Sequence, residues 1–180
     1  MNNMVNTRRG FTLIELLITM VVLAIVASIA IPSFVTVMKN NRSVMLSEEF
    51  VGALQLARAE AVKRSRLVSV CASNDGSSCV GDWSDGFIVV VDGAASESAD
   101  AVSIGAATDV LKVWDSLGDD ADISAPADVT FLRYTSTGRL AQVGSPPFVF
   151  TTKVTGCKGG AKTLSIGLAG SLSVTQADCN

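Results

Sequence analysis

The sequence contains no histidine. Imidazole is the one side chain whose ordinary pKa falls between pH 5 and 8. Ser-His-Asp triads, histidine zinc sites and imidazole pH switches are therefore excluded. Cys-x-x-Cys, G-x-S-x-G and the phosphate-binding P-loop pattern are missing as well. No enzyme activity, cofactor or metal is expected. Asp119, Asp120 and Asp122 are the only acidic cluster worth weighing for calcium, and they lack the spaced ligands and closing Glu of an EF-hand loop, so they read as a solvated turn. Charge is scarce too: 17% of residues are charged and the mean hydropathy is +0.42. That excludes a disordered chain, and it is too apolar for an ordinary soluble domain. At 180 residues there is room for one domain plus an appendage.

The net charge of −3 is unevenly spread. Residues 67–132 hold Lys112 against twelve carboxylates, and residues 133–180 hold five basic groups against Asp178 alone. A continuous nucleic-acid surface is not expected across so acidic a middle. The basic end keeps a small opening for it.

What is present is one long apolar run. From Phe11 to Met38 there are 28 residues with a single charge, Glu15. As helix it spans roughly 42 Å, enough for a hydrocarbon core of about 30 Å. Arg8 and Arg9 precede it and hold the N-terminus in the cytoplasm by the positive-inside rule. The run exceeds the apolar stretch of a secretory signal peptide and carries a carboxylate that needs a reason. Pro32 is expected to kink or locally melt the helix.

The residues Arg8-Arg9-Gly10-Phe11-Thr12-Leu13-Ile14-Glu15-Leu16-Leu17 resemble the processing site of type IV pilins and type II secretion pseudopilins. The resemblance implies cleavage after Gly10 by a prepilin peptidase and N-methylation of Phe11. It also implies that the helix is retained, first as an inner-membrane anchor and then in a filament core. Glu15 would neutralise the α-amino group of a neighbouring subunit and set axial register; a lone carboxylate there would be destabilising. Residues 1–10 are thus the leader, 11–38 the transmembrane and filament-core helix, and 39–180 a periplasmic domain.

Helical character continues from Asn40 to about Ser65. Leu46, Phe50, Leu54, Ala57 and Ala61 lie on one apolar face, and Glu60 and Arg64 are spaced to pair. Arg58, Lys63, Arg64 and Arg66 read as a solvated face. Beyond Arg66 the period becomes two. Strands are expected at 67–71, 86–92, 110–114, 129–134, 148–154, 164–166 and 172–174. Residues 118–122 read as a turn cluster and 94–107 as a long exposed loop. Strands after one helix predict an α+β fold, a long N-terminal helix packed on antiparallel sheets.

Three further stretches narrow the resemblance. They are Gln55-Leu56-Ala57-Arg58-Ala59-Glu60-Ala61-Val62, WSDGFIVVVD from Trp83 to Asp92, and FLRYTSTGR from Phe131 to Arg139. They are similar to the GspH/FimT/FimU group of minor subunits, which implies a long helix with two small sheets. The four cysteines all follow the apolar run, in a compartment where disulfides form. Three connectivities are open; joining sequence neighbours gives Cys71–Cys79 and Cys157–Cys179.

The resemblance implies a minor pilin that primes or supports type IV pilus assembly at the filament tip, and through it twitching motility, adhesion and DNA uptake. Its partners would be the prepilin peptidase, other pilins or pseudopilins and the inner-membrane assembly platform. A GspH-like minor pseudopilin of type II secretion is the alternative. A FimT-like DNA receptor in natural transformation is the other. Such receptors carry Gly-Arg-x-Arg near the C-terminus; Gly138-Arg139-Leu140-Ala141 keeps only the first arginine. DNA contact would fall to Arg139, Lys153, Lys158 and Lys162, and is disfavoured.

Overall fold

The structure is a computed structural model and describes residues 10–115, 118–127, 129–141 and 146–179. By contact density the chain forms two compact units, Met1–Val37 and Met38–Asn180. One helix, α1 (Leu13–Arg64), runs through 52 residues and contributes to both.

In the first unit the large apolar side chains of α1 are exposed, among them Leu23 at 68% and Ile29 at 72%. No residue of the helix's most apolar window is buried within the chain. Of the kink or local melting expected at Pro32, melting does not occur: α1 runs unbroken through it. A proline withdraws one ladder N–H and crowds the carbonyl four residues back, but melting the turn would leave further backbone groups unpaired.

In the second unit the expected helix face is buried: Phe50, Ala53, Ala57 and Ala61 are wholly inaccessible. It packs on two four-stranded antiparallel sheets. The first has the order β3 (Val110–Trp114), β2 (Phe87–Val91), β1 (Val68–Ala72), β5 (Phe131–Tyr134). The second has the order β4 (Ala121–Ser124), β6 (Phe148–Val154), β7 (Lys162–Ile166), β8 (Leu172–Gln176). Phe50 is the hub, edge-on to Trp83 and Phe87 and tilted against Phe150, with ring centroids 5.1–5.5 Å apart. Such pairs stabilise by about 0.5–1.5 kcal/mol beyond their buried area.

The two sheets use the period of two differently. Along β6 buried and more exposed positions alternate, as one covered face requires. In β1, β2 and β5 every residue is buried, because both faces of that sheet are covered. One face meets α1. The other holds Cys71, Ile88, Val90 and Phe131 under Val102 and Ile104.

Two expectations need correction. Residues 121–124 form a strand rather than a turn. Ala121 and Ile123 point inward and pair with β6, and the alternation was hidden among the aspartates around it. Residues 94–106 form the expected exposed loop, without helix or strand, and a buried arginine holds its middle. Arg58 is exposed yet does not simply face solvent. Its guanidinium donates to the carbonyls of Gly170 (2.7 Å) and Ala169 (3.1 Å) in the β7–β8 turn.

Candidate assembly site

The amino-terminal end of α1 is built by a reciprocal cap. Thr12 precedes the first helical residue, and Glu15 occupies the third helical position. The Glu15 N–H donates to Thr12 Oγ1 at 3.3 Å, and the Thr12 N–H donates to Glu15 Oε2 at 3.5 Å. This Thr-x-x-Glu arrangement satisfies two of the donors that a helix start leaves open. The sequence reading assigned Glu15 an assembly role and missed the cap, although the spacing alone carries it. The same carboxylate sits at the positive end of the helix dipole, where an anion is favoured.

Phe11 is 81% exposed. A Cβ on Gly10 would meet nothing within 4 Å, so no packing among the described residues requires glycine there. Arg8 and Arg9 lie outside the described residues.

The motifs of the remaining chain resolve into two internal clamps. At the first, Asp92 and Arg133 form an ion pair at 2.8 Å with both side chains wholly buried. Asp92 also accepts from the Ser69 hydroxyl and from the N–H groups of Ala94 and Ser103. Burial works against its ionisation, but the Ser103 N–H, the Ser69 hydroxyl and Arg133 outweigh it and hold the carboxyl below the usual carboxylate range. Arg133 donates onward to the carbonyls of Glu97, Ala99 and Ala101, and its guanidinium lies 4.9 Å from the centre of the Phe131 ring. One buried cation thereby ties 97–101 onto the first sheet.

The second clamp joins two glycine turns. Gly138 (φ +75) and Gly170 (φ +70) both adopt left-handed backbone, and a Cβ on Gly170 would clash with the Gly138 carbonyl oxygen. Arg58 fills the gap between them. Gly138 is therefore accounted for by the fold and is not evidence of a DNA motif. Trp83 closes the core, its indole N–H donating to the Val129 carbonyl at 2.8 Å.

The structure separates the four basic residues proposed to meet DNA. Arg139 is exposed beside the β7–β8 turn, where Leu140 donates to the Leu168 carbonyl. Lys162 opens the other end of β7, six residues away, or roughly 20 Å. Lys153 points from the opposite face of β6 and stands 3.8 Å from Asp122. Lys158 lies in the loop after β6. Asp120 is paired with Arg42 at 2.7 Å, so the weighed calcium cluster has cations against two of its three carboxylates.

Both disulfides are present. Cys71–Cys79 closes a turn organised by Asp75, whose carboxylate accepts from the Ser78 hydroxyl and from the N–H groups of Ser77 and Ser78; these bonds depress its pKa well below the usual range. Cys157–Cys179 ties the loop after β6 to the C-terminal segment.

An apolar helix of membrane-spanning length, and a helix packed on two antiparallel sheets, define a pilin-type filament subunit. The family model described as Type II transport protein GspH matches residues 46–170, and that of the prokaryotic N-terminal methylation motif matches residues 5–31. The chain belongs to the GspH family, and it is a membrane-anchored protein of the pilin type. Two crystal structures of the type IV minor pilin FimU of Pseudomonas aeruginosa (strain PAO1) share its fold. One is 26% identical with a TM-score of 0.57, covering 78% of this chain and 96% of that one. The other is 27% identical with a TM-score of 0.54, covering 76% and 98%. No curated protein matches the sequence significantly.

Proposed function

We propose that this chain is a minor pilin of a type IV pilus, structural rather than catalytic, that primes or supports filament assembly at the tip. One observation carries the reading: the methylation motif over residues 5–31 runs directly into a GspH-type domain whose fold is that of the minor pilin FimU. The prepilin peptidase cuts after Gly10, Phe11 becomes the methylated N-terminus, and residues 11–38 anchor the subunit in the inner membrane with its domain in the periplasm. On assembly Glu15 leaves its own cap in part and meets the α-amino group of a neighbour. The carboxylate is already oriented at the helix start, so little ordering remains to be done.

Mass spectrometry of the mature protein tests the first step. Phe11 with one added methyl is expected; an N-terminus near Ala30 would mean ordinary signal-peptide cleavage and end this reading.

A second reading has support of its own, since the matching family is described as a type II transport protein. In it the chain is a minor pseudopilin in a short periplasmic filament. Deleting the gene separates the two: loss of twitching with secretion intact supports the pilus, and the reverse supports the secretion system.

A further inference from the structure

We propose that the loop of residues 155–160 is a docking surface for anionic phospholipid headgroups, with Lys158 and Lys39 as its charged contacts. The proposal rests on the membrane reading above. The apolar run ends at Met38, so by sequence alone Lys39 stands at headgroup level. The fold brings a second segment to that level from more than a hundred residues away. Asn40 Oδ1 accepts the N–H groups of Lys158 (2.9 Å) and Gly159 (3.2 Å), and Lys39 Nζ donates to the Thr155 carbonyl at 3.0 Å. Asn40 lies only about 3 Å beyond Met38 along the helix axis.

The loop is shaped for this contact. A Cβ on Gly160 would lie 2.6 Å from the Asn40 carbonyl oxygen, and one on Gly156 (φ +77) would lie 2.7 Å from Lys39 Nζ. Glycine at both positions lets the loop lie against the helix, and Cys157–Cys179 pins it there. The Lys158 side chain is exposed and, among the described residues, makes no ion pair. Nearby acids are engaged elsewhere, Asp120 by Arg42 and Asp122 by Lys153; among the described residues, Asp178, exposed beside Cys179, is the counter-charge left beside the loop. Lysines held this close to an anionic bilayer are attracted to it strongly at moderate salt and weakly at high salt. The positive charge of the C-terminal stretch thus has a use that DNA contact, spread over two ends of a sheet, does not supply.

The test uses the full chain in vesicles of phosphatidylcholine alone or with phosphatidylglycerol. Lysines are acetylated with a membrane-impermeant amine reagent and the peptides are quantified. Lys63 is the internal reference: it lies 24 residues further along α1, about 36 Å, well beyond the Debye length. The Lys158-to-Lys63 labelling ratio is expected to be about fivefold lower in anionic vesicles and to recover in 1 M salt. An equal ratio in both vesicles would overturn the proposal. So would equal protection of Lys158 by duplex DNA added to phosphatidylcholine vesicles, which would assign the lysine to nucleic acid. Flotation with carbonate resistance keeps the two readings apart. Chains that float in both lipids without a charge-dependent ratio sink only the headgroup contact; chains that do not float sink the membrane anchor and the contact with it.

Discussion

The two halves of α1 are helical for different reasons. In the half beyond Met38 the chain supplies its own partner: Phe50, Leu54, Ala57 and Ala61 are buried against two sheets, and the exposed positions are mostly polar, Glu48, Glu49, Gln55 and Lys63 among them. In the half before it, large side chains such as Ile25 and Phe34 remain 59% and 65% exposed all round the helix. A contiguous apolar surface of that length does not persist in water. One half is a finished interior; the other is an unfinished one, completed by lipid or by neighbouring subunits.

Substitutions can break this comparison directly. Phe50→Ala removes the hub ring and should destabilise the domain by about 3–5 kcal/mol. Leu23→Ala, with its side chain exposed in the chain alone, should shift the same transition by less than about 0.5 kcal/mol. Both are measured by urea unfolding of the full chain in detergent. Trp83 and Trp114 both lie in the domain and report on it alone. Equal losses would mean that the two halves unfold as one unit.

Arg133→Ala leaves Asp92 buried without its cation, for an expected loss of about 3–5 kcal/mol, and residues 94–106 should become the first site of proteolysis. The same pair predicts an acid dependence. Asp92 has a folded pKa below its unfolded value, so its stabilising contribution is complete above about pH 4 and is lost as pH falls further. The urea midpoint should drop as pH falls below about 4, and it should do so less in Asp92→Asn. An unchanged slope in that variant would remove Asp92 from the explanation.

Replacing Cys157 and Cys179 together by serine should lower stability by about 3 kcal/mol, since the bond closes a loop of 22 residues. The helix start should respond least in stability and most in assembly. Glu15→Gln preserves the capping pattern and removes the charge, whereas Glu15→Ala removes both. Recovery in sheared filaments should fall for both variants, with the domain's unfolding unchanged. Normal recovery of Glu15→Gln would show that the cap, not the charge, is what assembly needs.

Much of this was readable from residue order. The membrane-length run, the buried face of α1 and seven of the eight strands, to within about two residues at either end, follow from local composition and period, which act over a few neighbouring residues. β4 was not legible, because a four-residue strand among aspartates exists only by pairing with β6. The first sheet's loss of alternation was equally hidden, since it depends on what covers the second face.

The sequence by itself determined which segment must leave water, because hydropathy is a local property. The tertiary structure alone decided what the charges do. Arg133 and Arg58 became internal clamps, Arg139 stayed at the surface, and Lys158 was carried back to the level of Asn40. A charge takes its meaning from the groups within a few ångströms of it, and for these residues those groups lie tens to more than a hundred positions away in the chain.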